Sequence, residues 1–179
     1  TEIYTLSLHD ALPICPILTN KDIENIDHEI KKIISNKREE AEETSILKSY
    51  IHEDIIYSDL DADSSEELIE KICDDMCLKG YVTSQFKNSV IEREKLSCTY
   101  VANCVVVPHG KAEFVSVPSI ALITLSEPII WYGYKVTTVF LCALDLSVDK
   151  VSNELFQELY HIIGDKKLLK KITEKNLNQ

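Results

Sequence analysis

Glycine is scarce in this chain, with four in 179 residues, beside five prolines, one methionine and one tryptophan. That poverty excludes the glycine-rich phosphate cradles. Neither GxxxxGK[ST] nor GxGxxG occurs, so nucleotide binding has no local support, and no GxSxG elbow offers a serine nucleophile. Basic residues are also in deficit. Nineteen Lys and Arg stand against thirty Asp and Glu, a net charge of −11. Nucleic-acid affinity rests largely on cations that neutralise phosphates, so binding of DNA or RNA by this chain is not expected. Apolar runs are too short to cross a bilayer, so no membrane span is expected. The cysteines at 15, 73, 77, 98, 104 and 142 form no CxxC pair. They read as the reduced thiols of a cytoplasmic protein. Cys73 and Cys77 lie four apart on one helical face and read as core, because no further ligand follows at metal spacing. The carboxylates are numerous but scattered, and no pair stands out for acid–base work.

What is present begins with an oddity. Residues 1–14, TEIYTLSLHDALPI, carry no initiator methionine and too little leading charge for a signal peptide. They read, codon for codon, as a translated sequencing-library adapter, and are expected to be a non-native segment. The native gene is then expected to begin upstream, in a longer protein. Residues 15–34 follow. Ile23, Ile26, Ile30 and Ile33 lie at helical spacing behind Thr19 or Asn20 as a cap, forming one amphipathic helix with no partner nearby in sequence. Residues 35–50 open on SNKREEAEETS, charged and almost free of large apolar groups, and read as a linker.

From residue 51 to 179 the pattern becomes that of one domain. DIIYSDL reads as a short strand. DSSEELIEKICDDMCLKG reads as a helix opened by a Ser64/Glu67 capping box and closed by Gly80. TSQFKNSVIEREKL is a second helix. CVVV, SIALITLSEP and KVTTVFLCAL are strands with apolar residues on both faces, which must therefore be covered on both faces. SNELFQELYHIIGD and KKLLKKIT close the chain as helices. The sum is a layered α/β domain, a mixed sheet flanked by helices.

One of the four glycines sits in CVVVPHGK, residues 104–111. The valines read as strand, Pro108 ends it, and His109 follows with Gly110 beside it. A solitary histidine is ordinarily a satisfied loop residue. Here Pro108 stiffens the approach, Gly110 allows close backbone contact, and the end of a strand is where α/β sheets place their sites. A neutral imidazole near pH 7 is a nucleophile, provided one nitrogen keeps its proton and the other points outward. Arg93 is the second candidate. On FKNSVIEREKL, Phe86, Val90 and Arg93 share one face, seven residues being nearly two turns. Two readings stand side by side. Arg93 snorkels at the helix C-terminus, where a cation is favoured, or it faces an anion such as a phosphate. His161 reads as a rim residue, His28 and His52 as isolated, and Trp131 as a core or rim anchor.

From REKL through the Thr-Tyr pair to VVVPHG, and on through SIALITLSEPIIW and VTTVFLCAL, the chain resembles the type 2 IIA domain of the bacterial phosphoenolpyruvate-dependent sugar phosphotransferase system (PTS), the mannitol/fructose class. The resemblance covers about Asp54 to Lys175. It implies the mannitol/fructose-class IIA fold, phosphorylation of His109 on Nε2 by the phosphocarrier protein HPr, and support from Arg93. It further implies transfer to a cysteine of a IIB domain, with no metal or cofactor. Transport-type members usually carry a second pocket histidine where this chain has Ser152, with Asn153 in place of the usual leucine. Residues 15–34, for their part, resemble the end of the IIB-like domain in transcriptional activators and antiterminators that carry PTS regulation domains (PRDs).

Three functions follow as expectations. The first is a phosphohistidine-bearing IIA domain that senses sugar supply at the end of a PRD-type regulator, regulation being favoured over turnover. The second is a IIA phosphocarrier in sugar transport. The third is an α/β interaction domain that is never phosphorylated.

Overall fold

The computed structural model describes residues 45–145 and 151–175. The expectations for residues 1–14, for the helix within 15–34, for most of 35–50, and for Cys15 and His28 lie outside the described residues.

Five strands form one mixed sheet: β1 (Ile56–Leu60), β2 (Tyr100–Ala102), β3 (Val105–Val106), β4 (Ser119–Trp131) and β5 (Tyr134–Ala143), in the spatial order β1-β4-β5-β3-β2. β1 runs parallel to β4 and β3 parallel to β5, while β4/β5 and β2/β3 are antiparallel. The helices are α1 (Ser65–Leu78), α2 (Gln85–Leu96), α3 (Val151–Gly164) and α4 (Lys166–Lys175).

The two apolar faces of the strands are used as expected. Val106, Ala121, Ile123, Val139 and Leu141 belong to a core shared with Leu68, Ile72 and Met76 of α1 and Phe86 and Val90 of α2. Their sequence neighbours Val105, Val107, Ile120, Leu122, Phe140 and Cys142 belong to a second core, shared with Leu155, Leu159 and Ile163 of α3. Period-2 alternation thus feeds two layers of helix on opposite sides of one sheet.

Local chemistry sets the boundaries. Ser64 Oγ accepts the Glu67 amide at 3.2 Å, and Glu67 reaches back to the Asp63 amide at 2.9 Å, one residue before the expected box partner. Gly80 sits at φ +83°, with its own amide on Cys77 O and that of Tyr81 on Met76 O, a Schellman closure. β4 runs further than the sequence suggests. It passes Pro128 within the irregular stretch between Thr124 and Ile129, where the register shifts, and ends in the tight Tyr132-Gly133 turn, both residues at positive φ. Pro128 is exposed in that irregular stretch, where a missing N–H costs no central ladder bond. Among the described residues no helix is long and apolar enough to cross a membrane.

Candidate functional site

β3 delivers His109. Val105 pairs with Thr138, Val106 with Val139, and after the gap at Val107-Pro108 the same register resumes with His109 opposite Cys142. Pro108 has no N–H to give, yet its carbonyl accepts the Cys142 amide at 2.8 Å, so the rail is held across the proline. His109 is thereby fixed beside the end of β5 while remaining half-buried.

The ring is oriented by its own strand. His109 Nδ1 lies 3.2 Å from Val107 O. A carbonyl only accepts, so the neutral imidazole carries its proton on Nδ1 and donates it there. Nε2 keeps its lone pair, and among the described residues it has no hydrogen-bond partner. Cys142, the neighbouring thiol, is fully buried, and burial pushes its pKa up to about 12. It stays a protonated thiol at neutral pH and does not compete as a nucleophile.

Gly110 has a different reason from the one its neighbour suggests. Its φ is not positive; what it lacks is room. A Cβ there would lie 2.6 Å from Phe86 Cε2 and 2.6 Å from Ser89 Oγ, both on α2. Ser89 Oγ donates to Phe86 O at 2.7 Å and accepts the Lys111 amide at 3.0 Å. The glycine therefore brings the loop after His109 against α2 rather than clearing space beside the imidazole.

Arg93 is half-buried at the C-terminal end of α2, and its Nη1 donates to Ser97 O at 3.0 Å. This is the helix-end reading of the two. No hydrogen bond or ion pair joins it to His109. The two are nonetheless carried by neighbouring backbone. The segment after α2 accepts the Val107 amide on Thr99 O at 3.1 Å, and Val107 O in turn holds His109.

The residue that sequence reasoning missed is Glu94. It is 2% exposed, accepts Trp131 Nε1 at 2.9 Å and faces the Thr99 amide at 3.4 Å, while its Oε1 and Thr99 Oγ1 have no hydrogen-bond partner. Trp131 is fully buried, which settles the core-or-rim expectation in favour of the core. Replacing it by Phe removes the indole donor from a buried carboxylate. Trp131→Phe is expected to cost about 1–3 kcal/mol, checked by the urea midpoint against wild type.

Elsewhere, His161 is exposed on α3, at the rim. His52 packs against Tyr81 with ring centroids 5.2 Å apart and the rings tilted by 33°, so it is not isolated. Cys73 is buried in the core and its thiol is pushed up to about 12 by that burial. Ser152 falls in the first turn of α3, and its side chain lies outside what the structure describes.

Residues 49–179 match the model of the family "Phosphoenolpyruvate-dependent sugar phosphotransferase system, EIIA 2". The chain belongs to this family. This IIA domain is 29% identical over 120 residues to the transcriptional regulator ManR of Bacillus subtilis, covering 67% of this chain and 18% of that protein. It is 26% identical over 163 residues to the probable licABCH operon regulator of the same species, covering 90% of this chain and 24% of the relative. The chain thus spans about a quarter or less of either regulator's length. In fold it matches the Escherichia coli complex of enzyme IIA-mannitol with phosphorylated enzyme IIB-mannitol, at a TM-score of 0.58 and 20% identity over 68% of this chain and 85% of that one. The mixed five-stranded sheet with helices on both faces is the mannitol-type IIA fold expected from the sequence, and the domain is homologous both to IIA domains and to PTS-linked regulators.

Proposed function

We propose that this IIA domain is the phosphorylated sensor end of a cytoplasmic, PRD-type transcriptional regulator, with His109 as the phosphoryl acceptor. The single observation that carries the acceptor assignment is the Nδ1···O contact between His109 and Val107, which leaves Nε2 as the nucleophilic nitrogen. The Nε2 lone pair attacks the phosphorus carried by phospho-HPr. A new N–P bond forms on His109, and the bond to the HPr nitrogen breaks with its electron pair returning to HPr. Arg93, released from Ser97 O, swings to pair with the phosphoryl oxygens, where a planar guanidinium binds in a bidentate fork. A phosphoryl group adds about −1.5 to −2 charge at neutral pH. On an acidic domain that changes which surface of the regulator docks against it.

The regulatory context is supported by the extent of the likeness to the licABCH regulator. An alignment over 90% of the chain reaches upstream of residue 49, where the family match begins. Residues 15–34 would then be the end of a preceding IIB-like domain and 35–50 the linker. Ser152, in place of a second pocket histidine, suits a site that holds its phosphate as a signal. The transport reading, in which His109 passes its phosphate to a IIB cysteine, rests on the fold shared with the IIA-mannitol component of the E. coli complex.

Incubation with phosphoenolpyruvate, enzyme I and HPr tests the proposal. The domain is expected to acquire one acid-labile phosphate; the absence of any label under conditions that load HPr would leave the unphosphorylated interaction domain as the better reading. Arg93→Ala is expected to slow labelling about tenfold or more while leaving the unfolding free energy from urea titration within about 1 kcal/mol of wild type, since it loses only one exposed helix-end hydrogen bond. Unchanged labelling kinetics would remove Arg93 from the site.

A further inference from the structure

Glu94 is a buried acid. It is 2% exposed, and among the described residues no ion pair reaches it and its Oε1 has no hydrogen-bond partner. Burying a carboxyl group with an oxygen left unbonded is costly, and an apolar side chain of similar volume is often at least as stable there. What the carboxylate does hold is the backbone beneath the histidine. Its Oε2 accepts Trp131 Nε1 at 2.9 Å from the far end of β4 and faces the amide of Thr99 at 3.4 Å. Thr99 O accepts the Val107 amide at 3.1 Å, and Val107 O accepts Nδ1 of His109 at 3.2 Å. Thr99 and Val107 are thus each held on both sides of their Cα, through the N–H of one peptide plane and the C=O of the next, so the contact at Glu94 fixes where the following backbone lies.

We propose that Glu94 is a positioning residue for His109, acting through the placement of the Thr99 and Val107 backbone to keep the imidazole in its Nδ1–H form, with Nε2 free. The proposal rests on His109 being the phosphoryl acceptor, but its first readout does not need phosphorylation at all. Without the Thr99 anchor, the Val107 carbonyl is no longer fixed at the ring, and the two neutral tautomers approach the mixture of a free histidine.

The test is the tautomer of His109, read from the 15N shifts of its ring nitrogens in long-range 1H–15N spectra of the unphosphorylated protein. Wild type is expected to show Nδ1 protonated above its titration range. In Glu94→Ala the Nδ1–H form is expected to lose its dominance, and the rate of labelling by phospho-HPr to fall about tenfold, as when the partner that orients a reactive histidine is removed. Glu94→Gln keeps an acceptor oxygen for Trp131 and Thr99 and is expected to restore the wild-type tautomer. Should Glu94→Ala fail to fold, the double variant Glu94→Met/Trp131→Phe replaces the buried polar pair by apolar volume and is expected to fold with the same loss of tautomer preference. A folded Glu94→Ala or double variant in which the ring nitrogens keep their wild-type shifts would overturn the proposal. If wild type shows the Nδ1–H form yet takes no phosphate, the failure lies with the acceptor assignment and not with Glu94.

Discussion

A His109→Ala variant is expected to take up no acid-labile phosphate from phospho-HPr, against one group per chain in wild type, while remaining folded. Both halves of that expectation come from the same geometry. The side chain stands half-buried at the end of β3, and its one hydrogen bond, to Val107 O, is neutral. Such a bond contributes about 0.5–1.5 kcal/mol, which the two cores on either side of the sheet can absorb. The chemistry has no such reserve. Cys142, opposite His109 in the register, is a buried thiol held protonated, and His161 is exposed on another element. Label retained at the wild-type level in His109→Ala would place the phosphate elsewhere. Label lost together with the fold, seen as a collapse of the urea transition, would show instead that the imidazole is a structural residue.

The second large effect is expected at Gly110. A methyl group there meets the Phe86 ring at 2.6 and 2.9 Å and Ser89 Oγ at 2.6 Å. Phe86 is fully buried in the core it shares with residues of the sheet and of α1, so its ring has little room to swing. Forcing an extra carbon into a packed interior costs about 1–3 kcal/mol, and here the displaced element carries His109. Gly110→Ala is expected to lower the thermal midpoint by several degrees and to slow labelling as well, because the loop that aims His109 is pushed off α2. A Phe86→Leu substitution made in the same chain opens space at the ring. If the clash is the cause, the double variant recovers part of the loss, a coupling that independent sites do not show. Simple additivity of the two single effects would rule the clash out.

Particular residues show how far the amino-acid pattern reaches. The rail into His109 is legible because each part is local: β-branched valines, a proline that ends the strand, and a histidine one step on. Two-sided apolar strands announce that helices cover both faces, since alternation has no other use for Val105 and Val106 together. Ser64 with Glu67, and Gly80 after α1, mark helix ends by hydrogen bonds that span only a few residues.

The sequence is silent where the deciding partner is distant. On α2, Phe86 and Val90 are followed by Arg93 at seven positions and Glu94 at eight, and the helical period admits either to the inner face. The structure buries Glu94 and leaves Arg93 half out, because the indole N–H that satisfies the carboxylate comes from Trp131, 37 residues away. Gly110 is similar. Its neighbour in sequence is a histidine, but the atoms that require a glycine belong to α2. Pro128 misleads in the opposite direction. A proline ordinarily stops a central strand, yet β4 runs through it, because it falls in the irregular stretch where the register shifts.

The central claim is that one nitrogen of one histidine carries the phosphate. Its most direct test is NMR of the 15N-labelled domain after loading by phosphoenolpyruvate, enzyme I and HPr, with the phosphorus–nitrogen coupling assigned to a ring position. A single phosphohistidine is expected, at Nε2 of His109. A phosphate on His52, on His161 or on Nδ1 of His109, or a domain that stays unlabelled while HPr is fully charged, would contradict it.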